Sequence, residues 1–338
     1  MAASDEARTL LRAESAVRAM RAIVRDHYGP PENLQLRELE VPMPGAGEVL
    51  VRVRAASVNF ADPLVVRGRP LLVRLATGIR RPKHPVPGVD LAGEVEAVGS
   101  GVTRFHPGDS VFGRADGAFA EFAVAGEGRL AQKPASLSFE QAAAMPMAGT
   151  TALQALRDHG RVQPGQRVLV IGASGGVGTF AVQIAKAFGA GVTGVCSTRN
   201  LKLVRSIGAD AVIDYVQGDY LQGTARFDVI LQVAGTDPPL ALRRILTPGG
   251  TLVLSSGQGR LAGVDRIVTA LATSMLVRER LVVFAEKETQ ADLLALAQLA
   301  ESGGLTPVVD RTYPLNDAKG AIRHMQGGHT RGKVVITV

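Results

Sequence analysis

The sequence predicts an α/β chain in two parts, a small antiparallel β-barrel region interrupted by a doubly wound parallel sheet. Three observations carry that prediction. Val168 to Ile171 is an apolar run that leads straight into a glycine cluster and then into Thr179 to Phe188, whose apolar residues recur at helical spacing, so the chain reads strand, tight turn, helix. Downstream, Ala209 to Tyr215, Phe227 to Val233, Gly250 to Ser255 and Leu281 to Phe284 are further apolar runs, each near a helical pattern, as in a parallel sheet with crossover helices. Upstream, short valine-rich runs separated by Gly and Pro turns suit a barrel rather than a helical bundle.

The turn after Ile171 has a dinucleotide-binding pattern. Glycines let the backbone turn sharply and approach a pyrophosphate, whose charge then rests against the N–H groups at the positive end of a helix. Here the turn reads Ala173-x-Gly175-x-x-Gly178, with Ser174, Gly175, Gly176, Val177 and Gly178 as the phosphate cradle and alanine where the first glycine of the usual fingerprint stands. The following strand, Gly191 to Cys196, ends without the acid that grips the ribose hydroxyls of NAD, and no Asp or Glu occurs between Gly178 and Asp210. Ser197, Thr198 and Arg199 stand there instead. A 2'-phosphate would be repelled by an acid and is welcomed by a hydroxyl and a guanidinium, so the expected cofactor is NADP(H). An Arg–phosphate contact contributes about 1.5–3 kcal/mol. Lys202 and Arg205 read more simply as the solvated face of the next helix.

Composition narrows the remaining possibilities. With 338 residues, two domains are the default. Hydrophobic residues make up 46% and charged ones 20%, which is ordinary for a globular enzyme, and no apolar run is long enough to cross a bilayer. The single cysteine, Cys196, excludes an internal disulfide framework and a multi-cysteine zinc cage, and it fits a reducing compartment, the cytoplasm. The formal charge of +7 is not a nucleic-acid signature, because the basic residues are scattered, tryptophan is absent and only 4 tyrosines are available for stacking. We read that charge as steering for an anionic cofactor.

In chain order, residues 1–19 are an Ala- and Arg-rich extension in which Asp5, Glu6 and Glu14 argue against a transit peptide. Ala22 to Val24, Leu34 to Leu36 and Val49 to Ala55 are strands, the last a half-buried one in which valine alternates with arginine. After Asp62 comes a basic, partly apolar segment. Asp292 to Leu299 is an amphipathic helix, Val308 to Leu315 a strand and turn, Asn316 to Met325 a helix, and Gly332 to Val338 a closing strand.

The motifs VNFAD, PGVDLAGEVEAVGSGV, FHPGDSVFG, GAFAEF and GTTALQAL and the glycine turn, in that order, resemble the medium-chain dehydrogenase/reductase superfamily, in particular its zinc-free quinone oxidoreductase (zeta-crystallin-like) branch. The resemblance covers Met20 to Val338. It implies a discontinuous GroES-like β-barrel catalytic domain (20–143 and 288–338), an inserted Rossmann domain (144–287), an active site in the cleft between them, and a homodimer. Zinc-dependent members bind a catalytic metal through Cys, His-Glu and Cys. Those positions fall here at Asn59, at Val89-Asp90 and near Met147 or Ala148, and the six histidines are dispersed.

Without a Lewis acid the reaction must be one in which hydride addition is already easy, to a quinone or an α,β-unsaturated carbonyl whose oxyanion needs only hydrogen-bond donors. Asn59 is the first candidate donor, although by composition it reads equally as a turn residue bonded to its own backbone. Thr151 resembles the family residue that touches the nicotinamide; its hydroxyl would serve equally as a helix N-cap. Tyr215 resembles a tyrosine near the 2'-phosphate, and Gly235, Ser256 and Gly257 occupy strand ends where ribose contacts occur. Asp62 and Arg67 read as a structural ion pair beside the cleft, and Tyr28 as a loop aromatic that either packs or faces the cleft. The segment Arg67 to Pro87 shapes substrate access, with contact to a membrane surface left open. A non-catalytic NADPH-binding protein and a metal-free alcohol or aldehyde oxidoreductase are the alternatives. A short-chain dehydrogenase is excluded, because the glycine turn is mid-chain and neither Tyr215, Tyr220 nor Tyr313 is followed by Lys four residues later.

Overall fold

The structure is a computed structural model that describes residues 18–255, 279–328 and 330–338. The first 17 residues and the candidates Ser256 and Gly257 lie outside the described residues. Strands β1 (Ala19–Val24) and β2 (Gln35–Glu40) form an antiparallel pair, and β3 (Glu48–Val58), β4 (Asp90–Val98), β5 (Ser110–Arg114), β6 (Phe122–Gly126) and β7 (Leu130–Gln132) follow, with helices α1 (Ala61–Arg67) and α2 (Val73–Thr77) between β3 and β4. The spine is β3, antiparallel to both β4 and β6. Its alternating sequence explains why. Val49, Val51 and Val53 are buried, while Arg52 and Arg54 reach Glu96 at 2.7 Å and Glu94 at 2.6 Å on the outer face.

Two short helices, α3 (Phe139–Ala143) and α4 (Pro146–Gln154), lead into the nucleotide-type region: β8 (Arg167–Ile171), α5 (Gly176–Ala187), β9 (Gly191–Cys196), α6 (Leu201–Ser206), β10 (Ala211–Asp214), β11 (Phe227–Gln232), α7 (Pro239–Arg243), β12 (Leu246–Leu254) and β13 (Arg280–Val283). The six strands are all parallel, in the order β10-β9-β8-β11-β12-β13. The chain therefore winds outward from β8 in one direction and from β11 in the other. Between these two strands the connections diverge, opening a crevice at their carboxyl ends. The chain then returns through α8 (Gln290–Glu301), β14 (Val309–Pro314), α9 (Ala318–Gln326) and β15 (Lys333–Thr337), and β15 pairs antiparallel with β3. The sequence boundaries shift where turns intrude: Asp210 bonds through its N–H to Val192, so β10 starts only at Ala211, and α9 begins after a single turn, Leu315–Asp317.

One hydrophobic cluster holds the two regions together. It joins Ala55, Ala92 and Phe112 of the barrel sheet through Met145, Ala148 and Leu153 to Phe180, Val168 and Val170 of the parallel sheet. Leu296 of α8 seals this seam against α4, where a side chain on Gly149 would come within 2.8 Å of its Cδ1. Truncating such a fully buried leucine removes its transfer energy and leaves a cavity. Leu296→Ala is therefore expected to destabilise the chain by about 2–5 kcal/mol, read as a lowered midpoint in urea unfolding; an unchanged midpoint would mean that the seam does not support the fold.

Candidate active site

The crevice is a cleft of about 480 Å³ walled by both regions, with Asn59, Met147, Thr151 and Lys333 on one side and the glycine turn on the other. The turn is built by Gly172, whose φ of +87° a side chain would strain, and by Gly178, where a Cβ would lie 2.0 Å from the Gly172 carbonyl oxygen. The tight-turn role thus falls to Gly172, one residue before the alanine that replaces the first fingerprint glycine. Gly175 is the extended residue ahead of α5, and the first backbone bond of that helix is Thr179 N–H to Gly175 at 3.0 Å. The N–H groups of Gly176, Val177 and Gly178 come before that bond, at the positive end of α5 and on the cleft wall.

At the far end of the cleft lie Ser174, Ser197, Arg199 and Tyr215. Asn200, which sequence reasoning missed, organises two of them: its Nδ2 donates to Ser174 Oγ at 2.9 Å and to Ser197 Oγ at 3.3 Å. Each serine oxygen accepts there, so its own hydrogen is left to donate elsewhere. The Asn200 Oδ1 is buried without a partner, and Tyr215 is 55% exposed. The acid at the end of β10, Asp214, is turned away to the Thr198 hydroxyl at 2.6 Å and the Val216 N–H at 3.0 Å. A glycine cradle at a helix N-terminus and two hydroxyl donors at a strand end fit the pyrophosphate and adenosine end of a dinucleotide.

At the near end, Asn59 sits in a buried charged cluster. Its Oδ1 accepts from Lys333 Nζ, its Nδ2 donates to Asp90 Oδ2 at 3.0 Å, and its N–H donates to Asp62 at 2.6 Å. Lysine has only donors and a carboxylate only acceptors, so the amide has one orientation, and one Nδ2 hydrogen remains. Asp90 is fully buried. Besides Asn59 it receives the Met147 N–H at 3.2 Å and the Ser57 hydroxyl at 3.4 Å, and it faces Lys333 at 3.9 Å and Arg114 Nε at 3.6 Å. Arg114 in turn binds Glu286 at 2.7 Å and Thr150 at 2.9 Å, tying the barrel to α4 and to the segment after β13. Burial lowers the proton affinity of Lys333, against the opposing fields of Asp90 and Asp62.

The chain matches the models of an alcohol dehydrogenase GroES-like domain over residues 45–135 and of a zinc-binding dehydrogenase over residues 207–336. It is 34% identical to the chloroplastic quinone oxidoreductase QR1 of Triphysaria versicolor, over 95% of this chain and 99% of that protein. This chain belongs to the quinone oxidoreductase branch of the medium-chain dehydrogenase/reductase superfamily. It is also 34% identical to mouse NAD(P)H oxidoreductase RTN4IP1, mitochondrial, over 94% of this chain and 89% of that one. The solved quinone oxidoreductase of Coxiella burnetii superposes with a TM-score of 0.83 at 30% identity, covering 95% of this chain and 100% of that one.

The zinc-ligand positions that the resemblance implies are Asn59, Val89-Asp90 and Met147 or Ala148. In this chain Asn59 and the Met147 backbone are bonded to Asp90, and the cations facing that carboxylate are Lys333 and Arg114. That donor set does not fit zinc, and no group of three or more His, Cys, Asp or Glu that could hold a metal occurs among the described residues. Thr151 lies inside α4 rather than at its cap, and its hydroxyl donates to the Met147 carbonyl at 2.6 Å, which leaves its oxygen facing the cleft.

Other expectations are corrected. Asp62 and Arg67 do not pair: Asp62 turns in to Asn59 and Arg67 out to Gln326 at 3.2 Å. Tyr28 packs, its hydroxyl donating to the Gly78 carbonyl at 2.7 Å, and it does not reach the cleft. Gly235 makes a left-handed turn with φ +83°, but Val233 and Ala234, not Gly235, line the cleft. Sequence reasoning missed Lys333, Arg114 and Glu286, whose only signal was charge inside or beside otherwise apolar segments.

Burial pushes the Asp62 carboxyl up to about 7, against the opposing Asn59 N–H, with Asp90 raising it further. Between the ordinary carboxylate value near 3.8 and about 7, the folded chain holds a proton that the unfolded chain has lost, so stability falls as pH rises through that window. Asp62→Asn keeps an acceptor for the Asn59 N–H and removes this slope. Its unfolding free energy relative to the parent should rise by about 2–3 kcal/mol from pH 5 to pH 8, and parallel urea-unfolding profiles would contradict the buried carboxyl.

Proposed function

We propose that the chain is an NADPH-dependent, zinc-independent reductase of quinones and α,β-unsaturated carbonyls. The observation that carries this reading is the Asn59 amide, locked between Lys333 and Asp90 at the mouth of a dinucleotide cleft, with one amide hydrogen left over. A reduced nicotinamide held in this cleft supplies a hydride. The chain's own residues do the rest. Gly176 to Gly178 hold the pyrophosphate by N–H groups, and Ser174, Ser197, Arg199 and Tyr215 hold the 2'-phosphate. Lys333 lies between the phosphate turn and Asn59, since a side chain on Gly176 would meet its Cδ at 3.3 Å, so its charge faces the anionic cofactor while its N–H fixes the amide. The spare hydrogen of Asn59 then donates to the acceptor oxygen on which negative charge develops. Phe60, Met147, Phe284 and Met325 give the cleft the apolar walls that a flat, electron-poor acceptor needs.

The names of the relatives from Triphysaria and Coxiella support the quinone, and the mouse relative's name supports a nicotinamide cofactor without choosing between its two forms. Two experiments separate the readings. Purified protein should oxidise NADPH with naphthoquinone- or enone-type acceptors; tight NADPH binding without turnover on either class favours the non-catalytic alternative. The ratio of kcat/KM for NADPH over NADH should fall at least about 10- to 100-fold in Ser197→Ala/Arg199→Ala, because the Arg199–phosphate contact alone is worth about 1.5–3 kcal/mol; an unchanged ratio contradicts the assignment of that end of the cleft.

A further inference from the structure

Between α1 and β4 the chain forms a lobe, Gly68 to Pro87, none of whose residues lines the cleft. Of the 11 large hydrophobic residues exposed among the described residues, 4 fall within it: Leu71, Leu72, Leu75 and Ile79, each between 67% and 71% exposed. No residue of the short helix α2 is buried. The base of the lobe is fastened. Tyr28 holds the Gly78 carbonyl and the Thr77 hydroxyl at 2.7 and 2.8 Å, and Arg74 lies 4.6 Å from the Tyr28 ring centre while donating to the Gly68 carbonyl at 3.0 Å. The leucines are thus held outward by a built scaffold.

Charge identifies what this surface meets. From Pro63 to Pro87 the sequence contains Arg67, Arg69, Arg74, Arg80, Arg81 and Lys83 and no Asp or Glu. Arg69, Arg80, Arg81 and Lys83 are exposed in the same short segment as the leucines. The acids that flank the segment in sequence, Asp62 and Asp90, are buried, and of the exposed ones Asp26 pairs with Arg37 at 2.6 Å and Glu32 with Arg323 at 3.0 Å, although Asp26 also feels Arg81. A second copy docked through the same face would bring these cations against each other across a two-fold axis. Nucleic acid would find no aromatic platform on the lobe. An apolar tip ringed by cations matches an anionic bilayer, with leucines below the headgroups and guanidinium groups at them.

We propose that the lobe from Arg69 to Lys83 is an interfacial docking site for anionic lipid membranes, holding the protein peripherally and reversibly. No helix among the described residues is long and apolar enough to cross a membrane, in keeping with a surface attachment. Phe60 and Ala61, which line the cleft, are the residue before α1 and its first residue, so docking sets the cleft mouth close to the lipid. The inference stands whether or not quinones are the acceptors, because binding is read without turnover.

The test is co-sedimentation of the full chain with sucrose-loaded vesicles of phosphatidylcholine alone or mixed with phosphatidylserine, at low and high salt. Partition onto the anionic vesicles should exceed that onto neutral ones by about tenfold or more and fall with salt, since each cation near an anionic leaflet is worth about fivefold. Leu72→Ser/Leu75→Ser should lower it by at least about tenfold with an unchanged unfolding midpoint, whereas Leu240→Ser, an exposed leucine elsewhere, should leave it as it is. Arg80→Gln/Lys83→Gln should remove the preference for anionic lipid. Equal binding to both vesicle types, binding undiminished in the leucine double variant, or loss of a parent oligomer in that variant would each overturn the proposal.

Discussion

The structure depends on a single buried carboxylate. Asp90 has no solvent exposure, yet it meets two cations, an amide, a hydroxyl and a backbone N–H drawn from β3 and the residue that follows it, β5, β15 and the start of α4. Removing any one of these charges would strand the others in a low-dielectric interior, at a cost of about 3–5 kcal/mol, so the elements that carry them are held in one relative position. That position is also the geometry of the site. Lys333 closes the barrel sheet and fixes Asn59, and Arg114 reaches across to Thr150 and Glu286. The fold and the active cleft therefore share one electrostatic centre.

Under the proposed function the ionic centre supplies the donor set of the cleft. An ammonium and an oriented amide can polarise an acceptor that is already electron-poor, whereas an unactivated alcohol needs a stronger Lewis acid. In that proposal the Asp90 carboxylate is shared between Lys333 and Arg114, Glu286 completes the pairing of Arg114, and the backbone at Met147 contributes an N–H. The thiol at the other end of the cleft, Cys196, is buried, and burial lifts it to about 11, in keeping with a place in the wall and not a nucleophile's.

The parallel sheet was legible because its signals are local: Val168 to Ile171 before the glycines, and apolar runs of strand length after them. The glycine turn was legible for the same reason, although Gly172 rather than residue 173 makes the tight bend, a matter of φ that sequence spacing does not reveal. The ionic centre was not legible. Asn59, Asp90, Arg114, Glu286 and Lys333 are spread over almost the whole chain, and only strand pairing of β15 with β3 brings the last beside the first. Lys333 opens an apolar closing strand, where a lysine ordinarily marks a solvated end; here it is 2% exposed. The pairing of Asp62 with Arg67 failed because two charges five apart in sequence ended on opposite sides of α1, one turned in and one turned out. Asn200 escaped notice because its work is to hold two serines, and nothing in its spacing shows that.

The central claim is that hydride acceptance in this cleft is assisted by an amide fixed between a lysine and an aspartate, and not by a metal. Its most direct test is zinc content measured beside NADPH turnover in protein dialysed against a chelator. The account predicts an undiminished rate with zinc far below one per chain. A rate that falls as zinc is withdrawn and returns when it is restored would contradict it.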